Sequence, residues 1–160
     1  MIDILATADF ILDAYERLGR RTLESGQLDA LRIPGVSSTL VAVSRDRELF
    51  LLLAIPPAAV VVDWNLEVLQ VCAGDRYSVH DAETGGDIEQ RFAVVRLRGG
   101  HEDLTTSFAL VSATLLATLG DTPQVSDIAH FLDSLVRLLA LPRGTAPNTI
   151  TGLWGELWVM

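Results

Sequence analysis

Lysine is absent from this chain of 160 residues, and all twelve of its basic residues are arginine. That absence excludes a lysine Schiff base, a P-loop lysine and a lysine-dependent nuclease motif within these residues. Cysteine is scarce too: Cys72 is the single one, which excludes an internal disulfide and a cysteine-rich metal site. Because Cys72 lies in a strand-like run, a small buried hydrophobic residue is the simplest interpretation of it.

The chain also lacks an apolar run long enough to span a membrane. Its longest run, 49–62, is interrupted by Pro56-Pro57 and is shorter than the roughly 18 residues that a spanning helix needs. The N-terminus has no basic segment of the kind that opens a signal peptide. The net charge of −9 opposes electrostatic binding to nucleic acid. We therefore expect a cytoplasmic protein with no membrane partner.

The apolar periodicity changes from helical to strand-like and back, which predicts an α+β fold. An amphipathic helix is predicted over 2–18, and 22–37 is predicted as a connection with one short extended piece. Arg45-Asp46-Arg47 and Thr84–Asp87 are predicted turns. Because links this short exclude parallel crossovers, we predict an antiparallel meander of five to seven strands. The predicted strands are 39–44, 48–55, 59–63, 66–72, 77–80 and 91–98.

Two or three helices are predicted after the sheet. One begins near Thr105 and ends at Gly120, and a second covers 123–140 with apolar residues three and four apart. The segment Pro142–Pro147 is rich in proline and glycine and is the strongest linker signal in the chain. We therefore predict an α+β domain over 1–141, a linker over 142–147 and a separate helix over 148–160.

The predicted last helix is apolar on all sides apart from Glu156. Such a helix is normally buried, and a lone carboxylate in it needs a cation, a metal or hydrogen-bond donors. Two interpretations of Glu156 stay open: a structural acid that gains from the helix dipole, and a metal-binding or catalytic acid. Trp154, Leu157 and Trp158 would form an interaction surface if exposed. We also expect the 160 residues to be the front part of a longer protein.

The order of elements and the motif Gly152-Leu-Trp-Gly-Glu-Leu157 resemble an uncharacterised bacterial family assigned to the PD-(D/E)XK, or restriction endonuclease-like, group. Members are often found near restriction and phage-defence genes, and a Gly-Leu-x-Gly-Glu-Leu helix opens their nuclease-like half. The resemblance implies that Glu156 is the catalytic, metal-site acid of the first core helix and helps to hold Mg²⁺. The remaining Asp and Glu-x-Lys would lie beyond Met160, so this fragment is expected to hold no cofactor and not to cleave DNA.

Two functions from different classes follow. In the first, the chain is the accessory or regulatory region of a PD-(D/E)XK protein, and it contacts DNA only through the missing C-terminal domain. In the second, it is a non-catalytic interaction module that binds another protein chain or forms a homo-oligomer. A complete small-molecule enzyme has no support, because the sequence has no nucleophile elbow, no phosphate loop and no histidine pair at metal spacing.

Two sets of polar residues are predicted to lie on the surface. The strand arginines Arg91, Arg96 and Arg98 are interpreted as a solvated strand face, because acidic residues surround them. His80 and His101 are interpreted as surface histidines, because nothing near them in the sequence completes a metal-ligand set.

Overall fold

The computed structural model describes residues 3–18, 24, 26–56, 58–59, 63–73, 77–99, 102–119 and 124–139. These residues form an N-terminal helix, a seven-stranded and mostly antiparallel sheet, and two C-terminal helices. The predicted α+β fold class is therefore confirmed. The predicted linker over 142–147 and the predicted helix over 148–160 lie outside the described residues, so the division into domains stays a prediction.

Along the sequence, one helix precedes the strands and two helices follow them. The helices are α1 (Ile4–Leu18), α2 (Thr105–Leu119), which follows a 3₁₀ turn at Glu102–Leu104, and α3 (Val125–Leu139). The strands are β1 (Gln27–Ile33), β2 (Val36–Ser44), β3 (Leu49–Ala54), β4 (Trp64–Asn65), β5 (Leu69–Ala73), β6 (Ser78–Asp81) and β7 (Phe92–Leu97).

Two of the helices begin at a side-chain cap. The Asp3 carboxylate accepts a hydrogen bond from the Ala6 backbone N–H at 3.1 Å, which satisfies one of the free donors at the start of α1. At the start of α3, Asp127 accepts from the Gln124 N–H at 2.9 Å, so the third helical residue caps the residue before the helix. These short-range contacts fix where each helix starts.

The order of strands in the sheet is β4-β5-β7-β3-β2-β1-β6. β1, β2 and β3 form an antiparallel meander, but β7 lies between β3 and β5. β6 pairs with β1 in parallel, with Leu28 opposite Val79. The sheet therefore differs from a simple meander at β7, in its interior, and at β6, on one edge, where strands distant in sequence become neighbours.

β1 is a full strand where the sequence predicted a connection. Its hairpin with β2 turns at Pro34-Gly35, and Gly35 has a φ of 81°. Proline followed by a glycine with positive φ is the pattern of a type II turn, which reverses the chain in two residues. Asp29 and Arg32 interrupt the apolar pattern of β1, which hid the strand from the periodicity.

The sheet is strongly curved, as the connection from β6 to β7 requires. Beyond β6 the chain adds an outer bridge, in which Ile88 donates to the carbonyl of Val79 and Asp87 lies opposite His80. Only three residues separate Ile88 from Phe92 in β7, and they span at most about 14 Å. In a flat sheet those positions would be about 24 Å apart. The sheet must therefore curl until β6 approaches β7 across the concave face.

Each face of the curved sheet carries its own buried cluster. The three helices pack on the convex face: α1 contacts β1 and β2, α3 contacts β5, and α2 lies between α1 and α3. The concave face is also apolar, and Tyr77 and Ile88 pack against it. The concave cluster consists of Leu28, Ala30, Leu40, Ala42, Phe50, Leu52, Val79, Phe92 and Val94. Both faces of β3 are thus covered, which explains its continuous apolar sequence.

None of the helices in the described part of the chain has the length and apolarity that crossing a membrane requires.

Candidate functional site

A cleft of about 400 Å³ opens at one end of the concave face. Its volume falls in the range of small-molecule sites, and the mouth of a curled sheet is a common place for one. Ten residues from β1, β2, β3, β7 and the adjoining turns line it: Gly26, Gln27, Leu28, Ser44, Arg45, Asp46, Glu48, Phe50, Tyr77 and Arg96.

A nearly buried ion pair forms the wall of the cleft. Arg96 Nε donates to Glu48 Oε2 at 2.8 Å, and Arg96 Nη2 lies 2.8 Å from the same oxygen. The backbone N–H of Gly99 donates to that oxygen as well, at 2.9 Å. The Glu48 side chain is 9% exposed and that of Arg96 is 28% exposed. A carboxylate so far from water needs these donors, because desolvation without them is strongly unfavourable.

The guanidinium of Arg96 is held on two sides. Besides the pair with Glu48, its Nη1 donates to Gln70 Oε1 at 2.9 Å. Burial lowers the pKa of Arg96, but the hydrogen bond and charge of Glu48, with Tyr77 and Asp46, outweigh burial and raise that pKa above its ordinary value. Arg96 is therefore a permanent cation in a fixed orientation, suited to binding and unsuited to proton transfer.

The floor of the cleft is aromatic and apolar. The rings of Phe50 and Tyr77 meet edge to face, with centroids 5.3 Å apart and planes at 71°. Leu28 completes this floor and, like Phe50, is almost fully buried. Because Phe50 is almost fully buried, the apolar surface that this floor offers to a ligand is the half-buried ring of Tyr77, which the edge-to-face contact with Phe50 holds in place.

The rim of the cleft is the turn between β2 and β3, at the position where the sequence predicted a turn. Arg47 adopts a φ of 60°, which is unfavourable for a residue with a Cβ. Its carbonyl accepts from the Tyr15 hydroxyl at 3.1 Å, and its guanidinium lies 5.3 Å from the centre of the Tyr15 ring. Helix α1 thereby holds the turn, which places Arg45 and Asp46 at the mouth of the cleft.

The interpretation of the strand arginines as a solvated face was wrong. Arg96 is the half-buried cation of the cleft, while Arg91 donates to the carbonyls of Pro56 and Ala59. Arg98 Nε donates to the carbonyl of Leu66 at 2.8 Å. The cause is the order of the strands: β7 lies between β3 and β5, so Glu48 and the carbonyls of the adjoining loops are within reach of these side chains. An arginine inside the apolar run Phe92–Leu97 was the one sequence signal of a buried partner.

The residues predicted to carry function are not among those that the structure describes. Glu156, Trp154, Leu157 and Trp158 lie outside the described residues, so their roles stay predictions, and His101 lies outside as well. His80 is partly buried and its Nδ1 lies 2.9 Å from Asp87 Oδ1. Within the described ranges, no three His, Cys, Asp or Glu side chains are grouped to hold a metal ion.

Comparisons with known proteins leave the geometry as the only guide to the site. No protein-family model matches the chain, and neither a curated protein nor a solved structure matches it.

Proposed function

We propose that residues 1–141 are the accessory region of a PD-(D/E)XK, restriction endonuclease-like protein, and that residues 148–160 open its nuclease-like domain. The observation that carries the proposal is the order of two features along the chain. The described residues between 3 and 139 form an α+β fold with two cores, and the motif Gly152–Leu157 follows them in the sequence. In the family that this motif resembles, the same motif opens the nuclease-like half.

The role proposed for the accessory region is to position or regulate the nuclease-like part, or to mediate its assembly with other proteins, without taking part in the chemistry. Glu156 contributes one metal-binding carboxylate, and the nuclease-like part supplies the Asp and the Glu-x-Lys. Bound Mg²⁺ would polarise the phosphate and activate water there. With a net charge of −9, this chain repels DNA, so contact with DNA falls to the other part of the protein.

The first test is the reading frame that contains this sequence. An Asp followed by Glu-x-Lys on strand-like segments downstream supports the proposal. In that longer product, Glu156→Gln should abolish Mg²⁺-dependent nicking of supercoiled plasmid, whereas the exposed Glu67→Gln should leave nicking unchanged. Full nicking activity in Glu156→Gln would rule out the metal role, and nicking by the 160-residue chain alone would overturn the accessory role.

A second candidate function is a homodimer or a protein-interaction module. The sequence feature that favours it is the spacing of Trp154 and Trp158, which are four residues apart in a segment with a single charge. Sedimentation of the chain should then show a dimer that Trp154→Glu dissociates and that Leu5→Glu does not. Leu5 is a suitable control because it is an exposed apolar residue, 63% exposed, on α1. A chain that stays monomeric at high concentration excludes the homodimer.

A further inference from the structure

We propose that the cleft on the concave face binds a small amphipathic carboxylate. The carboxylate would sit on the guanidinium of Arg96, and the apolar part of the ligand would lie on the ring of Tyr77, which Phe50 supports. This inference rests on the geometry of the cleft and is independent of the nuclease resemblance.

The first support is the hydrogen-bonding capacity that Arg96 retains. An arginine has five N–H bonds, of which one is on Nε and two are on each terminal nitrogen. Nε donates to Glu48, one bond of Nη1 serves Gln70, and Nη2 faces Glu48 Oε2. Among the described residues, at least one N–H on Nη1 and one on Nη2 therefore have no acceptor. Both bonds belong to one planar cation, and a carboxylate can accept charge-assisted hydrogen bonds from each of them.

The second support is that the group is pre-organised. Glu48 and Gln70 fix the guanidinium from two sides, so little side-chain freedom is lost when a ligand binds. The guanidinium lies beside the aromatic floor, because Arg96 is opposite Phe50 in the pairing of β3 with β7. A ligand can therefore bind the cation and the ring of Tyr77 together only if it carries an acidic group and an apolar group close to each other.

The charges around the cleft select a monoanion over a dianion. Arg45 and Arg96 contribute two positive charges to the lining, and Asp46 and Glu48 contribute two negative charges. A phosphate dianion would be repelled by both carboxylates and would find no surplus of positive charge. A carboxylate needs only the two free N–H bonds of Arg96, and its single charge is opposed less.

The test is an amide-resolved NMR titration of the intact chain with two matched probes. The first is 3-phenylpropanoate and the second is its neutral primary amide, which has nearly the same shape. We expect the carboxylate to shift the amide signals of Gly26, Ser44 and Tyr77, and to bind about tenfold or more tightly than the amide, because its bonds to Arg96 are charge-assisted. Equal affinity for the two probes, or shifts confined to other parts of the chain, would overturn the proposal.

Arg96→Lys tests the role of the planar group while it keeps a cation beside Glu48. Its binding should be weaker and its preference for the carboxylate should be lost, since an ammonium cannot reproduce the planar pair of donors. Arg17→Lys is the matched control, because Arg17 is 57% exposed and pairs with Asp13 on the surface of α1. If Arg96→Lys keeps its folded spectrum and its preference for the carboxylate, the assignment to Arg96 is wrong. If it unfolds, the comparison of the two probes on the unaltered chain still decides the proposal.

Discussion

Replacement of Arg96 by leucine should destabilise the fold far more than the loss of a surface ion pair. The change leaves the Glu48 carboxylate, 9% exposed, with Gly99 N–H as its one remaining hydrogen-bond donor among the described residues. Loss of one partner from a fully buried pair costs about 3–5 kcal/mol, whereas an exposed pair contributes about 0–1 kcal/mol. Since Arg96 is 28% exposed and one donor remains, we expect a loss of about 2–3 kcal/mol.

The assay is equilibrium unfolding in urea, followed by circular dichroism and by tryptophan fluorescence. In thermal unfolding, the same loss corresponds to a fall in Tm of roughly 5–10 °C for a chain of this length. The double variant Glu48→Leu/Arg96→Leu removes both charges, so it should recover most of the stability. The control is Arg137→Leu, whose partner Asp133 is 3.1 Å away, because that pair is exposed on α3.

Two results would refute this reasoning. The first is a cost below about 1 kcal/mol for Arg96→Leu, which would mean that the pair behaves as a surface pair. The second is a double variant as unstable as the sum of the two single changes, which would mean that Glu48 and Arg96 are not coupled.

Three further changes test the fold, each by urea unfolding. Gly35→Ala should destabilise the fold by about 1–2 kcal/mol, because the φ of 81° at Gly35 disfavours a Cβ. The control Gly99→Ala should be near neutral, because its Cβ would meet atoms no closer than 3.8 Å. Equal costs for the two changes would contradict the turn assignment. Phe108→Ala should cost about 3–5 kcal/mol because its side chain is fully buried in α2, and a cost under about 1 kcal/mol would contradict that burial. Tyr15→Phe should cost about 0.5–1 kcal/mol through loss of the hydrogen bond to Arg47, and an unchanged stability would show that α1 does not hold the turn.

The three helices were predictable because each depends on contacts close in sequence. The helix predicted over 2–18 is α1 (Ile4–Leu18), and the helix predicted over 123–140 is α3 (Val125–Leu139). The helix predicted to begin near Thr105 and end at Gly120 is α2 (Thr105–Leu119). Most strands in the middle of the chain were recognised for the same reason. Periodicity reports which faces are apolar, and that property is local.

The sheet order and the cleft were not predictable, because both depend on contacts between residues far apart in the sequence. Glu48 and Arg96 meet only after β7 has inserted beside β3. Arg96 lies between the apolar residues Val95 and Leu97, a pattern that indicates a buried environment but does not identify the partner. The strand predicted over 59–63 shows a related difficulty: Ala59 and Asp63 are not in a strand, while β4 is the pair Trp64–Asn65.

The way the sheet ends has a consequence for assembly. One terminal strand, β4, is only two residues long, and the outer side of the other, β6, is occupied by the bridge from His80 to Asp87. Long unpaired edges are where copies of a protein add strand to strand and aggregate. Neither edge of the described sheet offers a long template of this kind, so the addition of a second copy strand to strand is disfavoured there.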